Sequence, residues 1–119
     1  MRRLLLALLL LSSAVPALAA TTVAPDLPPE ADRLLWCGNA FYWLSIDASD
    51  AGNDTEADEY QAWSDQLLDR AATLLAASGL DAPGTDDLIE TYADRALAEM
   101  ATPTAPYDVT TVCPTLVTP

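Results

Sequence analysis

Between Pro29 and Ala48 the chain puts apolar residues on nearly every side of a helix, and a small domain must find cover for all of them. Leu34, Cys37, Phe41 and Leu44 recur at spacings of three and four. Trp36, Ala40 and Trp43 form a second stripe, and Leu35, Tyr42 and Ile46 a third. The pattern predicts a central helix packed on several sides. Pro28 and Pro29 suit its first turn, where a missing N–H costs nothing. Gly38 sits in the middle, where it costs about 1 kcal/mol relative to Ala. Its presence predicts a close neighbour beside Cys37, and the returning C-terminal tail is the expected one.

Two further helices follow from the same periodicity. The stretch Asp47 to Asp54 reads DASDAGND, a loop by composition. Thr55 and Asp58 approximate a capping box for a helix over 56–78, and Gly79 ends it. Its apolar face is Tyr60, Trp63, Leu67, Ala71, Leu74 and Leu75, with Glu59, Gln66, Asp69 and Thr73 facing away. A turn through Pro83 and Gly84 leads to a third helix over 85–101, which Pro103 stops. The Pro- and Thr-rich remainder lacks helical spacing and predicts an extended tail. The fold class is therefore all-α: a small three-helix domain over 29–119 with a tethered C-terminal tail.

The tether follows from the export signal. Arg2 and Arg3 precede an apolar run from Leu4 to Leu11, then Pro16 and Ala17-Leu18-Ala19. That layout is a signal peptide over 1–19 with cleavage after Ala19, too short to span a bilayer as an anchor. A short extended leader, 20–28, comes next. In an exported chain the two cysteines, Cys37 and Cys113, are expected to pair. The loop they close is about 75 residues long, for which chain entropy gives about 4 kcal/mol. The expected compartment is the periplasm or the medium outside the cell.

Charge narrows the partners. Eighteen carboxylates face five cations, a net charge of −13; losing Arg2 and Arg3 leaves three cations and −15. Nucleic acid and anionic membrane surfaces are poor partners for such a chain. Basic proteins and cationic peptides are good ones. The chain has no His, so Ser-His and Cys-His pairs and His-ligated zinc are absent, and no carboxylate pair stands out for acid–base work. We expect no enzyme and no cofactor. One loop has metal-like spacing: Asp47, Ser49, Asn53, Thr55 and Asp58 fall at positions 1, 3, 7, 9 and 12 of an EF-hand pattern, with Gly52 at 6. Ala51 at position 5 offers no side-chain ligand, and Asp58 has a short arm for position 12. The loop predicts weak calcium binding at best.

The segments LLWCGNAFYWL (34–44) and YDVTTVCPTLV (107–117) flank an Ala-rich helical middle. With the leader, they resemble small exported two-cysteine proteins of alphaproteobacteria. The resemblance spans most of the mature chain and implies export and the two-cysteine helical plan, with no activity attached. Periplasmic acid-stress chaperones share the general plan but are Lys-rich; this chain would hold only about +4 below about pH 3. Immunity proteins against secreted toxins share it too, and an acidic surface suits a basic toxin. No motif of either group matches residue by residue.

These readings lead to a non-enzymatic exported protein that binds a protein partner, with a periplasmic acid-stress chaperone and a weak calcium binder through 47–58 as alternatives. Trp36 and Trp43, seven residues apart, are the candidate interface for a partner or a homodimer. N-terminal sequencing of the exported protein should start at Ala20. A mature chain that begins at Met1 would contradict the signal-peptide assignment.

Overall fold

The computed structural model describes residues 27–119; the expected signal peptide and residues 20–26 of the leader lie outside them. The described chain forms α1 (Pro29–Asp50), α2 (Asp54–Ala77), α3 (Ala82–Glu99) and a 3-10 helix, Cys113–Leu116. There is no strand among the described residues, and no described helix is long and apolar enough to cross a membrane. Cys37 and Cys113 form the disulfide, with Cα atoms 5.3 Å apart and both residues fully buried.

The helix ends are set by glycine. Gly52 and Gly79 both have positive φ, +81° and +94°. After α1, Gly52 N donates to the Ser49 carbonyl (3.0 Å) and Asn53 N to that of Ala48 (2.8 Å). After α2, Gly79 N donates to the Ala76 carbonyl (3.0 Å) and Leu80 N to that of Leu75 (3.0 Å). These paired bonds satisfy carbonyls that a helix end leaves open.

Two starts differ from expectation. Thr55 and Asp58 lie inside α2, so they form no capping box; Asn53 precedes the helix without a side-chain bond. Helix α3 begins at Ala82 rather than Thr85, because Asp81 caps it by accepting from Gly84 N at 2.8 Å. Pro83 and Gly84 are thus its first turn.

Helix α1 is the axle of the domain. Every residue from Leu34 to Phe41 is buried. Its closest contact is with antiparallel α2, along a row of small residues. Ala31, Gly38 and Ser45 recur every seventh position on α1, and Ala57, Ser64 and Ala71 do so on α2. All but the half-buried Ala57 are buried. Small side chains at heptad spacing let two backbones come close along a straight seam. At Gly38 a Cβ would stand 2.8 Å from Leu68 Cδ2 and 3.3 Å from Leu67 Cβ. The close neighbour of Gly38 is therefore α2, not the tail. Beside the seam, Phe41 packs on Tyr60 and edge-on to Trp63, with ring centroids 5.9 and 5.1 Å apart.

The tail is a chain of turns rather than an extended strip. The Asp108 carboxylate accepts from Thr110 N (2.8 Å), Thr110 Oγ1 (2.7 Å) and Thr111 N (3.1 Å). Those bonds hold its carboxyl below the usual range. Val112 N and Cys113 N then donate to the Asp108 carbonyl, starting the turn that delivers Cys113. Past the disulfide, Arg70 Nη1 donates to the Leu116 carbonyl at 2.5 Å. Gln66 donates to the Thr118 carbonyl (3.0 Å) and accepts from Thr118 N (2.6 Å). Gln66, expected to face away, clamps the chain end.

Gly38→Leu should lower stability by about 1–3 kcal/mol through overpacking of the seam. Gly79→Ala should cost about 1–2 kcal/mol, because an L residue resists positive φ. Denaturant unfolding measures both. A neutral Gly38→Leu would contradict the close α1–α2 contact.

Candidate functional site

Two places on the domain collect the side chains that sequence reasoning pointed to, and they behave differently. The first is a polar knot around Asp32, in the first turn of α1. Its carboxylate accepts a hydrogen bond from the Tyr92 hydroxyl of α3 and one from the Tyr107 hydroxyl of the tail, the latter at 2.5 Å. Arg95 of α3 lies over the Tyr92 ring at 4.7 Å, 4.0 Å from Asp32 and 3.4 Å from Glu99. Glu99 in turn accepts from Trp36 Nε1 at 3.1 Å. The Arg33 guanidinium stands 6.0 Å from the centre of the Tyr107 ring.

The knot ties α1, α3 and the tail together beside the disulfide. Burial first, and the Asp32 carboxylate second, push the phenols of Tyr92 and Tyr107 above the ordinary tyrosine value. Its members bond one another, which suits a structural lock.

Trp36 belongs to this knot. It is fully buried, and its ring meets Tyr107 edge-on at 5.8 Å. The expectation that Trp36 offers a contact surface fails for a simple reason: the tail and α3 cover it.

The second place is the outer face where α1 meets α3. Trp43 is half-buried there, and its Nε1 donates to the Ala93 carbonyl of α3 at 2.8 Å. Its ring stands edge-on to Tyr42, with centroids 5.1 Å apart. One helical turn beyond Ala93 lies Leu97. Tyr42 and Leu97, at 39% and 52% exposure, are the large apolar side chains left exposed among the described residues. Asp47 and Asp50 share the Trp43 face of α1 by helical spacing, and Glu90 and Asp94 share the Leu97 face of α3. All four carboxylates are exposed. The sequence singles out Trp43 and not Leu97, whose exposure depends on what packs against α3 and leaves no mark in local spacing.

The 47–58 segment does not form an EF-hand loop. Nine of its twelve positions are helical, four in α1 and five in α2. Only Ala51 to Asn53 connect the helices, so Asp47 and Asp58 project from two helix ends and cannot wrap an ion as an EF-hand does. No group of three or more potential metal-ligating side chains occurs among the described residues.

Two of the described cations pair across or along the helices: Arg95 with Glu99 at 3.4 Å and Arg70 with Glu30 at 3.7 Å. Compared with family models, curated proteins and solved structures, the chain matches none.

The raised phenols predict an alkaline transition. A group whose folded value lies above its unfolded value of about 10 contributes stability that is complete below that pH and is lost as pH rises through the folded value. Phenolate absorbance from Tyr92 and Tyr107 should therefore emerge only above pH ~10, together with loss of helical circular dichroism. Tyr92→Phe should remove part of the late absorbance. An unchanged titration curve in that variant would contradict the knot.

Proposed function

We propose that this is an exported, non-enzymatic protein that works by binding another protein. The observation that carries the reading is the Tyr42–Trp43–Leu97 face. Aromatic residues on rigid supports are the side chains that most often dominate protein interfaces. Here the support is firm: Trp43 is bonded to α3, and α1 beneath it is buried and bridged to the tail by a disulfide. Little side-chain or backbone order has to be gained on binding, which favours affinity.

Export is supported by the layout of 1–19 and by the disulfide, since such bonds persist in oxidising compartments. We place the protein in the periplasm or outside the cell on those grounds. The non-enzymatic reading is supported by the lack of His and by the engagement of both cysteines in the disulfide, which takes the usual nucleophile pairs away.

Site-specific photo-crosslinking tests the reading. A photoreactive residue in place of Leu97 should yield one discrete protein adduct in cells. The same residue in place of Thr73, on the exposed side of α2, should yield none. No adduct from position 97, or equal adducts from both, would contradict it.

A further inference from the structure

We infer that the Tyr42–Trp43–Leu97 face seats a cationic amphipathic segment of its partner, apolar side chains lying on Leu97 and Trp43 and a Lys or Arg lying over Tyr42. This rests on the reading that the face binds a protein, and it adds the chemistry of what binds.

The charge of the domain selects the partner. Among the described residues the cations are Arg33, Arg70 and Arg95, with no Lys and no His. Each one is already engaged. Arg70 holds Glu30 and the Leu116 carbonyl, Arg95 holds Glu99 and stacks on Tyr92, and Arg33 lies by Tyr107. None forms an ion pair with Asp47, Asp50, Glu90 or Asp94. The apolar face is therefore rimmed by carboxylates with no cation of their own among the described residues. A partner bringing Lys or Arg to that rim gains attraction and fast, steered encounter. An anionic partner meets repulsion, and so does a second copy of a chain with net charge −13.

The rings add a second reason. Tyr42 and Trp43 meet at an interplanar angle of 67°, with Tyr42 in solvent. An ammonium or guanidinium over an exposed ring face is attracted to its negative quadrupole, by about 0.5–1 kcal/mol at such sites. Asp47, one turn beyond Trp43, adds a carboxylate on the Trp43 side of the seat. Apolar floor, aromatic edge and acidic rim together describe the complement of a helix or strand with one apolar and one basic face.

The test uses the oxidised mature protein and labelled peptides of about 18 residues, long enough for five helical turns. Four are compared by fluorescence anisotropy: Leu/Lys, Leu/Gln and Leu/Glu amphipathic peptides, and a Lys/Ser peptide with no apolar face. Leu/Lys should bind most tightly. The double change Tyr42→Ala, Leu97→Ser should weaken it about tenfold or more, the scale of losing a hot spot. Asp47→Asn with Asp94→Asn should weaken it less and reduce its salt dependence. Asp65→Asn with Asp69→Asn, on α2, should leave it unchanged.

Leu/Gln binding as well as Leu/Lys, with the same loss on Tyr42→Ala, Leu97→Ser, would overturn the cationic partner and leave the binding face standing. Lys/Ser binding as well as Leu/Lys would overturn the seat itself, as diffuse attraction to an acidic protein. Self-association abolished by Leu97→Ser would overturn it in favour of a second copy. If no peptide depends on the face and position 97 also yields no crosslink, both this inference and the binding function fall together.

Discussion

The close approach of α1 and α2 is the contact on which the rest of the domain is arranged. Gly38 marks a point of close approach. The residue is a poor choice for a helix interior, yet a Cβ there would press into Leu67 and Leu68. Small residues every seventh position extend the contact in both directions, from Ala31 to Ser45 and from Ala57 to Ala71. Because the backbones are close, the larger neighbours Leu34, Leu35, Phe41, Leu67 and Leu75 reach across and bury fully or nearly so. The dispersion attractions between them are individually small and collectively large. Ser64 shows the cost of a narrow seam: its hydroxyl is buried without a partner.

One helix partner cannot cover a helix that is apolar all round. The remaining sides of α1 are met by α3 and by the tail, which are held by different means. Helix α3 brings Tyr92 and Ala96 into the core and supplies the polar side chains of the Asp32 knot. The tail carries few large apolar groups, so burial alone holds it weakly. The disulfide, the Tyr107–Asp32 bond, and the clamps from Gln66 and Arg70 fix it at four points. The outer α1–α3 face is what this arrangement leaves over. Three helices and one tail cover Trp36 but leave Tyr42 and Leu97 in solvent, and that remainder is where a partner can add cover.

The helices were legible because their signals are local. Apolar spacing, Gly52 and Gly79 as stops, and Pro103 beyond α3 act over a turn or two. The disulfide was legible from compartment and count. The tail was harder, since its turns depend on Asp108 bonding its own backbone, a pattern that a Pro- and Thr-rich stretch hides. The two tryptophans could not be separated by spacing: seven residues put both on one stripe of α1, and only the crossing of α3 and the tail decides that Trp36 is covered completely and Trp43 only in part. The Asp32 knot joins residues 60 and 75 positions apart, beyond any periodicity. The small-residue seam was present as Ala31, Gly38 and Ser45, but with large residues between them the apolar stripes dominated the reading. The acidic loop misled for the opposite reason, because ligand spacing was counted across residues that the two helices claim for themselves.

Native-state hydrogen exchange on the oxidised protein tests the central role of the seam most directly. Amides of α1 around Gly38 to Phe41 and of α2 around Leu67 to Ala71 should be the slowest to exchange, opening only with global unfolding. Those of the tail turns and of the C-terminal part of α3 should open earlier, in smaller units. If the amides of α3 were as slow as those of the seam, or if the α1–α2 amides exchanged through a partial opening while α3 stayed closed, the seam would not be the frame of this fold.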